Sequence, residues 1–132
     1  MSQSIRNVLG TPLKLCGIDP ITGFNRSGFC SISQNDTGTH IVCAIVTDKF
    51  LNFTKSRGND LTTPFGNSFP GLKEGDRWCL CILRWLEAYR SGVAPMIDLE
   101  ATSENVLKYT DLTLLKKFDY KSTTEGFGIG YR

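Results

Sequence analysis

Residues 75–92 read GDRWCLCILRWLEAYRSG. This stretch decides the fold because it carries both tryptophans and two of the five cysteines. At about 100° per residue, Trp78, Ile82, Trp85 and Tyr89 fall on one line. Leu86 and Cys79 flank that line on one side, Ala88 and Cys81 on the other. Arg84, Glu87, Arg90 and Ser91 fill the far side. An apolar arc this wide predicts a helix over 77–91 that is buried over more than half its girth. Asp76 suits the N-cap, since its carboxylate accepts free first-turn amides. Gly92 suits the position just past the end, where the chain turns left-handed.

Working outward, His40–Thr47 (HIVCAIVT) is the clearest strand upstream. It is rich in β-branched residues and too continuously apolar to be one-sided, which predicts a central strand. Thr47 or Asp48 then caps a short helix, DKFLNFTKSR, closed by Gly58. The loop 58–76 that follows is long for a small domain, with two prolines and several glycines, and a loop of that kind is either functional or loosely ordered. Downstream, MIDL (96–99) reads as a strand. ENVLKY follows a Thr102 or Ser103 cap, and LTLLKKF follows Thr110 or Asp111. Upstream of the central strand, GIDPITGFNRSGFC is dense in turn pairs, with Phe24 and Phe29 placed to anchor a short hairpin. The fold class is therefore α+β. A single domain spans 1–118, with a small sheet including 40–47 and 96–99 and three to four helices packed against it. Residues 119–132 form a C-terminal tail of small and polar residues.

Composition narrows the function. The chain has 132 residues and a net charge of +2, too little to argue for nucleic acid. No apolar run is long enough to cross a bilayer. The first ten residues lack the apolar stretch of a secretory leader. With an odd cysteine count, this predicts reduced thiols and a cytoplasmic location.

Two groups of residues carry possible chemistry. Cys79 falls in the first turn of the expected helix, where free amides and the helix dipole favour an anion. His40, the one histidine, is the available base if its strand packs beside that helix. Asn59, Asp60, Thr62, Asp76 and Arg77 are expected to converge where the loop meets the helix start, a place suited to a polar or anionic small molecule. The bland reading of Asn59 and Asp60 is turn-making after the Gly58 stop. A metal set is harder to assemble. Cys79 and Cys81 point about 160° apart on a regular helix. A zinc site would draw on Cys16, Cys30, His40 and one of the later pair, so no metal ligands are assigned. Which cofactor, if any, the chain uses is not legible in the sequence.

Taken together, NVLGTPLKLC, PITGFNRSGFC, DTGTHIVCAIVTDKFLNFTKSRGNDLTTP, FPGLKEGDRWCLCILRW and APMIDLEAT resemble a family of small uncharacterised proteins, the domain of unknown function DUF2237. The resemblance runs over about residues 7 to 118. It covers all five cysteines, His40, the Gly58–Leu61 string and Gly75–Trp78. It implies no activity. Phe29 stands where the family often has another cysteine, which argues against a metal or disulfide role around Cys30. PFGNS replaces a more typical Pro-Glu stretch after Thr63. The expectation is a cytoplasmic small-molecule-binding protein or enzyme, with Asn59, Asp60, Asp76 and Arg77 holding the ligand and Cys79 and His40 reacting. The alternative is a non-catalytic interaction module with a structural metal held by cysteines. Oligomeric state is not legible.

Overall fold

The computed structural model describes residues 5–33, 39–66 and 69–121. Three strands form one antiparallel sheet: β1 (His40–Ile45) lies between β2 (Arg77–Cys81) and β3 (Met96–Ile97). The helices are α1 (Asp48–Ser56), α2 (Ile82–Arg90) and α3 (Leu112–Lys116), with two short 3-10 turns at Leu99–Ala101 and Glu104–Lys108. The α+β class holds, and β1 is the central strand. Among the described residues no helix is long and apolar enough to cross a membrane.

Local chemistry explains most boundaries. The Thr47 hydroxyl accepts the Phe50 N–H and starts α1. Asp111 does the same for Leu114 in α3, and Ser103 caps the second 3-10 turn. Both longer helices close alike. Beyond α1, Asn59 N–H reaches back to Thr54 C=O across Gly58; beyond α2, Val93 N–H reaches Ala88 C=O across Gly92. This wrap needs a positive φ, and both glycines supply it, at 95° and 77°.

The start of the decisive stretch departs from expectation. Residues 77–81 form an edge strand, and the helix begins only at Ile82. RWCLC also alternates, so it can split its side chains between two faces of a sheet. Trp78 and Leu80 join the main apolar core, while Cys79 joins a separate sulfur-rich cluster. Pairing with β1, from Ile45↔Arg77 to His40↔Cys81, selects the strand. Asp76 is consequently no N-cap. Its Oδ2 accepts the Lys73 N–H and closes the turn before β2. The N-cap of α2 is Cys81.

The main core lies between the sheet and the helices. Trp85 and Phe50 are its largest fully buried side chains. The Trp85 Nε1–H donates to Pro95 C=O at 3.0 Å, and its ring meets Phe118 edge-on. Over the other part of the sheet lies an N-terminal segment, residues 5–33, built of turns and isolated bridges. Two disulfides attach it to the sheet, Cys16–Cys43 and Cys30–Cys79. This corrects the expectation of reduced thiols and the argument against Cys30, which is fully buried and bonded. An odd count accommodates two pairs and one free thiol, which is Cys81.

Residues 119–121 contact the domain. Asp119 bridges to Ile97, the Arg77 guanidinium lies over the Tyr120 ring, and Lys121 pairs with Glu100. The remainder of the expected tail, 122–132, lies outside the described residues.

Candidate functional site

Because β2 is an edge strand, one of its sides is left for loops to cover. The loop 58–76 and the turn at 22–26 do so incompletely. Three adjoining clefts of about 340, 290 and 260 Å3 open there. All three are lined by Leu61 and Trp78, so they form one groove. Arg26 is shared by the first two and His40 by the last two. At one end are Asp60, Thr63, Phe65 and Phe69; at the other are Asn59, Cys81 and Arg84.

The sequence reading placed a site where the loop meets residue 77, and the groove is in that region. Its membership differs. His40 lines the groove and stacks beside Phe24, with ring centroids 6.3 Å apart. Asn59 lines it too, its amide donating to the Thr54 hydroxyl. Asp60 stands at the rim, but both its oxygens are engaged. They accept the Thr62 and Thr63 amides and hydroxyls at 2.6–3.3 Å. The Thr63 hydroxyl, followed by the Thr62 amide and hydroxyl, holds the Asp60 carboxyl well below the usual carboxylate range.

Asp76 and Arg77 do not line the groove. Arg77 turns away from the groove, toward Cys16 and Asp98. There its Nε–H donates to Cys16 C=O at 2.7 Å and its guanidinium pairs with Asp98. Cys79 lines the middle cleft yet is only 1 % exposed and bonded to Cys30. It sits mid-strand, so the first-turn argument for a thiolate there does not apply.

The free thiol is two residues on. Cys81 ends β2, is half-buried, and lines the groove beside His40. The two are register partners across the strands. The C-x-C spacing contained this possibility, since on a strand the residues at i and i+2 share a face. Only the helical reading of 77–81 hid it. No side chain caps α2, and its first turn holds no acidic residue. The first amide of α2, that of Ile82, donates to Thr39 C=O.

Two more residues were missed. Arg26 lies over the Trp78 ring, 5.3 Å from its centroid. Its Nη1 donates to Gly23 C=O, and it makes no ion pair with any described residue. Arg84 lies at the other end, paired with Glu87. Arg26 and Thr39 are the described non-glycine residues with positive φ, at 55° and 53°. Thr39 is β-branched, for which this conformation is costly. Such strain concentrates at functional sites, and here one strained residue lines the groove and the other precedes His40.

A family model described as an uncharacterized protein conserved in bacteria (DUF2237) matches residues 6–119. No curated protein matches the chain.

Proposed function

The chain belongs to the DUF2237 family of uncharacterised bacterial proteins, and on that premise we propose that it binds a small anionic molecule in the groove beside β2, with Cys81 and His40 as the reactive pair. The observation that carries the reading is the register pairing of the free thiol with the one histidine, both in the groove wall. Arg26 supplies a cation that makes no ion pair with a carboxylate among the described residues. Trp78 supplies a flat apolar wall. Asn59 adds an amide at the thiol end.

In the enzymatic form of this reading, the Cys81 sulfur adds to a carbonyl carbon of the ligand. The new bond is S–C, the carbonyl π pair moves to oxygen, and the thiol proton passes to the His40 imidazole. Asp60 shapes the rim rather than reacting, since its oxygens are occupied by Thr62 and Thr63. Cys79, locked in its disulfide, leaves the catalytic role to Cys81. A non-catalytic interaction module is the second reading. It is favoured by Phe65, which is 79 % exposed at the end of the groove.

Iodoacetamide labelling of the native, unreduced protein, read by peptide mass, separates the two. The enzyme reading expects Cys81 to label before unfolding, and His40→Gln to slow labelling by about a hundredfold. A Cys81 that labels only on denaturation ends that reading. A screen of small carboxylates and phosphates by tryptophan fluorescence then tests the ligand class, with Arg26→Ala expected to abolish the response.

A further inference from the structure

We infer that Cys16, Cys30, Cys43 and Cys79 form a four-thiolate metal site, of which the two disulfides are the oxidised state. This site adjoins the groove at Cys79, but it stands or falls without the function proposed for the groove.

Three of the four sulfurs are gathered more closely than two independent cross-links require. Those of Cys16, Cys30 and Cys43 all lie within 4.8 Å of one another, and the fourth, of Cys79, is bonded to Cys30. All four residues are at most 2 % exposed, and Ala101 is the other member of their cluster. Four thiolates around one zinc, at about 2.3 Å each, sit roughly 3.8 Å apart at the corners of a tetrahedron. Opening both disulfides lets each bonded pair separate toward that spacing while staying inside the same pocket.

The scaffold suits such a site. Cys43 and Cys79 are register partners on adjacent strands. Their amides turn away from each other, and each is held by a buried threonine hydroxyl, Thr102 at 3.1 Å and Thr22 at 2.7 Å. Two ligands thus rise from a rigid sheet, and two come from the turn-built segment that covers it. A metal would tie the same segment to the same strands as the disulfides do. The chain would then hold its N-terminal segment in place whether its surroundings oxidise or reduce thiols. The donor set contains sulfur and no carboxylate, which selects zinc over magnesium or calcium. His40 faces the groove, so the ligands are the four cysteines and not a mixed set.

The conversion balances with a thiol reductant. Four thiol equivalents reduce the two disulfides to four cysteine thiols and become two disulfides themselves. Zinc then replaces the four thiol protons, which are released to solvent.

The test uses the full chain, reduced anaerobically and supplied with Zn2+ or Co2+. One metal per chain is expected. Cobalt should give the strong visible bands of a tetrahedral ion together with sulfur-to-cobalt charge transfer. Cys81→Ser should bind the same amount, and Cys16→Ser should lose the four-sulfur spectrum. If Cys16→Ser does not fold, the cobalt spectrum of the unaltered chain still decides, because its intensity and charge-transfer absorbance report the number of sulfur ligands. A reduced chain that binds no cobalt, that gives the weak spectrum of an octahedral ion, or whose binding disappears in Cys81→Ser overturns the inference.

Discussion

The two halves of this domain are held together by different physics. Between the sheet and α1, α2 and α3, the chain buries Trp85, Phe50, Leu51, Ile82 and Leu115 almost completely. Over residues 5–33, Ile5, Leu9, Leu15, Ile18, Phe24, Phe29 and Ile32 are all exposed. That segment has too little buried apolar surface to hold itself. It is fastened at points instead, among them two disulfides, the Arg77 side chain on the Cys16 carbonyl, the Thr22 hydroxyl on the Cys79 amide, and one buried asparagine. Asn7 is fully buried and satisfies chain on both sides. Its Nδ2 donates to Thr11, Pro12 and Glu100, and its Oδ1 accepts from Leu9 and Thr11. A region packed by area tolerates any single weak contact, whereas a region fastened at points depends on each one. The groove lies along the seam between the two, which is why one wall is core (Trp78, Leu61) and the other is turn (Gly23, Phe24, Arg26).

The contrast can be broken most forcefully from the core side. Trp85→Ala removes the largest fully buried side chain and the partner of the Pro95 carbonyl. It should destabilise the whole domain by about 3–5 kcal/mol, read as a lowered denaturant midpoint. A near-native midpoint would mean that the core is not centred on α2.

The disulfide counterpart is smaller and local. In metal-free protein, the pair Cys30→Ser and Cys79→Ser opens a link between residues 49 apart in sequence and should cost about 2–4 kcal/mol. Hydrogen exchange should rise across residues 13–31, while β1 and α2 keep their protection down to the new global limit. Uniform loss of protection across both halves would show that the segment and the core are one cooperative unit.

Asn7→Ala isolates another of these fastenings. It removes the partner of the Pro12 carbonyl and of the Leu9 and Thr11 amides, while the Glu100 carbonyl keeps the Lys14 N–H, with an expected loss of about 1–3 kcal/mol. Exchange should rise first at residues 7–13. A change confined to α3 or α1 would contradict the point-fastened picture.

The smallest effect concerns the rim of the seam. The folded value of the Asp60 carboxyl is depressed, chiefly by the Thr63 hydroxyl. Its ordering of the 60–63 turn is therefore complete above the unfolded value, near 3.9, and is lost only as pH falls through the lower folded value. The amide resonances of Thr62 and Thr63 should stay put between about pH 5 and pH 3, spanning that unfolded value. A midpoint at the ordinary aspartate value would show that the turn does not hold the carboxylate.

Much of this molecule follows from its sequence alone, because much of it is set by local chemistry. The Thr47 cap, the Gly58 and Gly92 stops, the Asp111 cap and the β-branched run at 40–45 each act within one turn or one strand. They are readable without knowing where the rest of the chain lies. The burial of Trp85 also follows from the period of its own helix. The neighbourhood of the groove was legible too, since a long polar loop had to end somewhere near residue 77. What only the tertiary structure decided is the non-local part. RWCLC satisfies a helical period and a strand alternation equally, and β1 chose between them by pairing with it. That choice turned Arg77 toward Asp98, placed Cys81 across from His40, and left Asp76 to close a turn. The cysteine pairing was beyond local reading for the same reason. Cys16 with Cys43 and Cys30 with Cys79 are joined across 27 and 49 residues, and only a folded sheet with a segment lying over it brings those sulfurs into one pocket.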